Sequence, residues 1–362
     1  MKKERKRVNA VYLTLLAVML LGGFISLSFF PADRYSAAER RYLASFPVAD
    51  PASMADGSYT AALDTYATER FPMRGDLRQA YALLQIMMGQ QEVGDVLLCR
   101  DGSLAKRIFP SEKVLRQNLK AVKGWQQRYG DILTLAPVPC RVMMREEVLP
   151  PLYDTSENHK IWQTVTENCP NAIPFPHLNT DECWYRTDHH WTSRGAYLAY
   201  CHLGDALGYE PISEDGFEIK AVCTDFYGTS HGAAGLPFVA PDTIQLYSTD
   251  KDAAFRVEID GSPAPFSGFY DFEKLQSDDA YGIFLGGNHG VMTVSTGEAR
   301  PHLLVVKDSF ANALLPFLAQ HFELTVIDPR YTAGALTPYA EKADRILLLC
   351  GMQTLCETAW LK

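Results

Sequence analysis

The last hundred residues limit the possible folds most tightly. From His302 onward, short apolar runs alternate with helix-favouring stretches: a strand over 302–306, a helix over 310–321, a strand over 323–328, a helix opening at Thr337-Pro338 and a strand over 345–350. Strand and helix alternating at this spacing imply right-handed crossovers and a parallel sheet. Pro316 falls inside the predicted 310–321 helix and is expected to bend it. The fold class is therefore α/β.

The chain before this region fits the same class. Ser111 caps an amphipathic helix that runs from Glu112 to about Tyr129, where Gly130 ends it. Residues 131–137 read as a buried strand and 157–168 as a helix. Thr192 or Ser193 can cap a further helix that reaches Gly208. Between 211 and about 300 the helical pattern lapses into short alternating segments, such as Thr243–Tyr247 and Ala254–Ile259, among Gly, Pro, Ser and Asp. This stretch reads as a β-rich insertion, either lying over a catalytic face or packed as a subdomain of its own.

The N-terminus points to a membrane. Met1 to Arg7 hold five basic residues and one acid, and Val8 to Phe30 hold no charged side chain. That apolar run exceeds an ordinary signal-peptide core and reaches the roughly 20 helical residues needed to cross a bilayer. Residues 1–7 are thus expected to form a cytoplasmic basic tip and 8–30 an uncleaved signal anchor, with everything after Pro31 outside. A cleaved signal peptide is the competing reading, because Ser36-Ala37-Ala38 offers small residues. Residues 31–95 form a polar helical neck, with helices at 61–67 and 77–88, and 96–362 form the main domain.

A net charge of −9 argues against nucleic acid as a partner and against charge-driven adhesion to anionic lipid. Eight cysteines without a Cys-x-x-Cys pair specify no disulfide pattern, and an exported chain of this length does not need one.

Two short stretches hold the chemistry. In Asp188-His189-His190-Trp191, the first and third residues emerge on one side of an extended segment. In Lys307-Asp308-Ser309-Phe310, Ser309 falls at the turn from a strand into a helix, where a helix dipole would favour a developing oxyanion. A serine hydroxyl needs a base, here His190, and Asp188 would fix the imidazole tautomer. Each stretch has a plainer reading. A serine after a strand is usually a cap, and two histidines beside an aspartate suggest a metal site about as readily as a triad. The helical zinc spacing of two histidines four apart is missing, and the pairing of the two stretches favours nucleophilic catalysis without a metal or cofactor.

The tetrad, followed by Thr192-Ser193-Arg194-Gly195-Ala196-Tyr197, resembles the signature of the DHHW protein family of Gram-positive bacteria. That family is similar to the SGNH-hydrolase-like alginate O-acetyltransferases, which carry Asp-x-His-Trp upstream of Gly-Asp-Ser. Further fragments fit the resemblance: Ala38 to Leu43 with Phe46-Pro47, Glu69 to Arg74, Asp225-Phe226-Tyr227-Gly228-Thr229, Leu285-Gly286-Gly287-Asn288, and Val326 to Tyr331. The resemblance implies an SGNH-like three-layer domain with Ser309 as nucleophile, His190 as base and Asp188 as orienting carboxylate. His189 falls on the variable position.

Lys307 stands where the acetyltransferases have glycine. It is expected to point into solvent or, failing that, to lie beside the site and attract an anionic substrate. For the oxyanion hole the resemblance implies a glycine N–H and an asparagine side chain, for which Gly287 and Asn288 are the nearest candidates, with Gly228 and Tyr227 weaker. Arg330 is a candidate for holding a sugar or carboxylate.

The activity implied is O-acetyl transfer to a cell-surface or secreted polysaccharide through an acyl-enzyme, with a membrane-bound O-acyltransferase as acetyl donor. Water as acceptor would make the same residues an esterase. A non-catalytic polysaccharide-binding or scaffold protein of the envelope is the reading from another class.

Overall fold

The computed structural model of the chain describes residues 11–18, 21–23, 34–36 and 41–361. Most of the expected anchor at 8–30 lies outside them, as do residues 1–7; the described parts, 11–18 and 21–23, are helical. Among the described residues, no helix is long and apolar enough to cross a membrane. The chain divides into two compact units, one of residues 1–90 with 235–237 and one of 91–234 with 238–362.

In the first unit, two short strands, β1 (Tyr35–Ser36) and β2 (Arg41–Tyr42), pair antiparallel. Three helices follow, Pro51–Asp56, Ser58–Glu69 and Arg74–Met87. Asp50 caps the first by accepting from the Ala52 and Ser53 amides, and Gly57, at φ +83°, ends it in the left-handed conformation that a side chain disfavours.

The second unit opens with a small antiparallel sheet of β3 (Glu92–Val93), β4 (Val96–Leu98) and β5 (Leu104–Lys106). Its main sheet has seven strands. Four are parallel: β6 (Leu133–Val138), β12 (His302–Lys307), β13 (Glu323–Ile327) and β14 (Arg345–Gly351), lying in the order β13-β12-β14-β6. Beyond β13 the sheet continues through β11 (Val291–Ser295), β9 (Arg256–Ile259) and β10 (Ser262–Pro263), each antiparallel to its neighbour.

Alternation along the parallel strands feeds two cores. Leu303, Val305, Leu347 and Leu349 face one, where Ala196, Tyr200 and Leu203 of the Ser193–Leu207 helix cover them. Leu304, Val306, Ile346 and Leu348 face the other, against Leu115, Leu119 and Val122 of the Glu112–Tyr129 helix and Ile161 and Val165 of the Ser156–Asn168 helix. Each fully buried aliphatic side chain contributes about 1.5–3 kcal/mol relative to its exposed form. Strands buried on both faces have to read as continuous apolar runs, as these do.

The predicted caps form: Ser111 accepts from the Val114 amide and Thr192 from the Gly195 amide. Four expectations are corrected. The sheet is mixed rather than parallel throughout, and the 211–300 stretch does not form a single insertion. Its segment β7 (Glu218–Phe226) pairs with β8 (Asp242–Ser248) as a separate two-stranded sheet, whereas β9, β10 and β11 extend the main one. A period of two residues marks a half-buried strand but does not name its partner. The predicted 310–321 helix is instead a 3-10 turn at Ser309–Ala313 followed by a helix at Leu315–Ala319. Pro316 does not bend a long helix; it sits in the first turn of the second piece, where its missing N–H costs no bond.

Candidate active site

The segment that carries the tetrad is fixed mainly by a buried carboxylate. Asp242, at the start of β8, accepts from the Arg186 amide at 2.8 Å, the Thr187 amide at 2.8 Å and the Thr187 hydroxyl at 2.5 Å. Burial raises the pKa of Asp242, and these donors oppose the rise. Thr187 Oγ1 also accepts from the Gly228 amide at 3.0 Å, which draws the 226–229 segment against the tetrad. The approach is so close that a Cβ on Gly228 would lie 2.2 Å from Asp188 Cβ. Thr229 completes the clamp, its amide and hydroxyl donating to Asp188 Oδ2 at 2.6 and 3.0 Å.

Asp188, so held, presents Oδ1 to the His190 amide at 3.0 Å and to His190 Nδ1 at 2.6 Å. The Nε2 of the same ring lies 2.8 Å from Ser309 Oγ. A carboxylate on Nδ1 holds the proton there, so that the Nε2 lone pair is free to accept from the serine hydroxyl. Asp188 and His190 are buried, and the imidazole stacks on the Tyr281 ring with centroids 4.1 Å apart and planes 6° apart. Phe310 meets the imidazole edge-on at 5.1 Å. His189, at the variable position, packs on the His190 ring with centroids 3.8 Å apart and places its Nδ1 2.6 Å from Thr229 Oγ1.

Ser309 leaves the end of β12 in a short turn. Asp308 caps that turn, with Oδ1 accepting from the Phe310 amide at 3.0 Å and Oδ2 from the Gly351 amide at 2.7 Å at the end of β14. One carboxylate therefore ties the serine turn to the neighbouring strand. The long helix whose dipole was expected to support Ser309 does not form there.

Lys307 departs from both expectations. Its side chain is 1% exposed and donates to Asn288 Oδ1 at 2.8 Å and Asn312 Oδ1 at 2.7 Å, with Asp328 Oδ2 at 3.7 Å. The last residue of a central strand points inward here, and two amides and a carboxylate receive it. Burial nevertheless lowers its pKa to about 8.

The weaker candidates separate. Gly287 adopts φ +99°, and its N–H donates to Phe284 O, as the Gly228 N–H does to Thr187, so both glycine donors are already engaged. Asn288 lies beside Lys307, and Tyr227 packs on the His231 ring at 4.4 Å. Arg330 grips Asp328 with both ends, at 2.9 and 2.7 Å, and borders a cavity of about 190 Å³ with Ser309, His189, Lys106, Gln353 and Glu357. Cavities of about 290 and 410 Å³ lie by Trp162 and by Tyr247. They are larger, but Ser309 lines the smaller one.

Sequence reasoning missed Thr229, Asp242, Tyr281 and the structural use of Asp308. Thr229 and Asp308 stood within the quoted stretches; Asp242 and Tyr281 carry no local signal.

Asp188, His189 and His190 bring ligand atoms within 4.8 Å of one another, as a metal site would. The fit is poor, because Asp188 Oδ1 and His190 Nδ1 stand 2.6 Å apart at hydrogen-bond distance and Oδ2 is taken by Thr229. An ion bound by both groups would need about 2 Å to each.

Residues 175–327 match the DHHW protein family model, a span that includes Asp188, His190 and Ser309. No curated protein matches the chain significantly. Among solved structures, a DHHW family protein from Eubacterium siraeum DSM 15702 aligns at a TM-score of 0.62 and 18% identity, over 73% of this chain and 93% of that one. Bacillus cereus PatB1 aligns at 0.60 and 18%, over 74% and 99%. PatB1 with a sulfonyl adduct aligns at 0.58 and 18%, over 73% and 98%. At that identity the likeness is one of fold.

Proposed function

We propose that this chain, a DHHW protein over residues 175–327, is an extracytoplasmic serine-dependent O-acetyltransferase acting on a polysaccharide through an acyl-enzyme. The observation that carries the reading is the buried relay in which Asp188 Oδ1 lies 2.6 Å from His190 Nδ1 and His190 Nε2 lies 2.8 Å from Ser309 Oγ. The fold it rests on is SGNH-like in this reading, with layers on both faces of the sheet.

The chemistry has two halves. Ser309 Oγ attacks the acyl carbonyl while its proton passes to His190 Nε2. The Oγ–C bond forms, and the bond to the leaving group breaks as that group takes the proton back from His190. A sugar hydroxyl then gives its proton to Nε2 and attacks the acyl carbon, releasing the Ser309 oxygen to recover the proton. With water in place of the sugar the same sequence is ester hydrolysis, and the outcome depends on how well the site excludes water. Acetyl, the polysaccharide acceptor and a membrane-bound O-acyltransferase as donor come from the family resemblance; the anchor expected at 8–30, from the apolar run behind a basic tip, would hold the site beside such a donor.

A sulfonyl fluoride tests the nucleophile. The purified protein should gain one sulfonyl group, mapped to Ser309 by peptide mass, and Ser309→Ala should gain none. Asp188→Asn should react slower by about three to four orders of magnitude. If the native protein stays unmodified, the scaffold reading gains; activity abolished by a chelator and restored by a divalent ion would instead favour a metal at Asp188 and His190.

A further inference from the structure

We propose that the helix Arg74–Met87 lies in the lipid–water boundary on the outer side of the membrane, with its exposed apolar stripe turned to the acyl chains. The inference rests on the anchor expected at 8–30.

The stripe runs the length of the helix. Met73, Leu77, Tyr81, Leu84 and Met88 follow one another at spacings of three or four residues, so they share one face from cap to cap. That face is open, each of the five being between 51% and 70% exposed. The unit packs on the opposite face, where Ala82 is buried and Leu83 and Ile86 are half-buried. A helix apolar on both sides has one side too many for water, and a continuous run of five is not the scatter of single apolar residues that any surface shows.

The start of the helix tells what covers the stripe. Gly23, in the described part of the apolar N-terminal run, packs beside Phe71: a Cβ on Gly23 would stand 3.6 Å from Phe71 Cε2, in van der Waals contact. In a helical span that ends at Phe30, Gly23 lies seven residues, or about 10 Å, below the outer end. With the anchor in place Phe71 therefore sits at membrane depth, and the helix begins three residues later. Interfacial amphipathic helices sink their apolar face by about 5–10 Å, the depth this contact sets. Arg74 and Arg78 border the stripe along one edge, where basic side chains reach the headgroups while their stems stay on apolar surface. Tyr81 suits the same layer, with a ring for the acyl side and a hydroxyl for the wet side. Attachment through apolar area needs no basic protein, so the net charge of −9 does not oppose it.

Photolabelling of the full chain in phospholipid vesicles tests this. A phospholipid with a diazirine in its acyl chain is mixed into the bilayer and irradiated, and the adducts are mapped by peptide mass. Trypsin releases residues 79–100 as one peptide, because no Lys or Arg falls between Arg78 and Arg100. That peptide should carry label at Tyr81, Leu84 or Met88, besides the label within 8–30. The double variant Leu77→Glu, Leu84→Glu puts two carboxylates on the stripe and should cut labelling of 79–100 at least about tenfold, with labelling of 8–30 and the circular dichroism spectrum as in the native chain. Label confined to 8–30 in the native chain would overturn the proposal, as would equal labelling of 79–100 in the double variant or cross-linking of one copy to another through the stripe. Absence of label from the whole chain is a different result: the anchor itself has then failed, and the inference falls with it.

Discussion

Asp188 is held against His190 because Gly228 lets the 226–229 segment come close enough for Thr229 to bind its second oxygen. A methyl group on Gly228 would stand 2.2 Å from Asp188 Cβ and 2.6 Å from its Cα, where flexible side-chain movement cannot relieve the clash. Gly228→Ala is therefore expected to displace Asp188, slow sulfonylation of Ser309 at least about tenfold, and lower the melting temperature by several degrees. Labelling at the native rate would show that the close approach is dispensable. At this scale the sequence was legible where contacts are local: Asp188 and His190 are two residues apart, and Asp308 caps its own turn. Lys307 was misread because nothing near it in the chain announces Asn288, Asn312 or Asp328 as partners.

Between elements, Asp308 links two strands that pair in parallel. Its Oδ1 closes the Ser309 turn and its Oδ2 holds the Gly351 amide, both buried, so Asp308→Ala leaves two amides without acceptors. We expect a loss of about 2–4 kcal/mol by chemical denaturation, from a lost cap and an unsatisfied buried donor. A change under about 0.5 kcal/mol would mean that the turn is held by other contacts. Strands β6, β12, β13 and β14 could be read from their apolar runs, and the helices at 112–129 and 193–207 from their caps. The break after Ser309 could not. Phe310 to Leu315 has helical composition, and the 3-10 turn reflects the tight bond of Asp308 to Phe310 and the preference of Pro316 for a helix start.

Across the whole molecule, one sheet serves two cores, and the carboxyl ends of its parallel strands bring together Ser309 from β12, Asp328 and Arg330 after β13, and Gly351 from β14. His190 reaches the same place from a segment far away in sequence, clamped by Asp242 and the 226–229 stretch. The parallel half of this sheet was legible because buried parallel strands are mostly apolar; the antiparallel half was not, because β9 and β11 alternate as any half-buried strand does and their pairing is settled by tertiary contacts. The most direct measurement of the central claim is the mass of the protein mixed rapidly with an activated phenyl acetate and quenched in acid. The account predicts one acetyl group, located on Ser309 by peptide mapping, present in the native chain and absent from both Ser309→Ala and His190→Ala. Acetylation elsewhere, or to equal extent in Ser309→Ala, would contradict it.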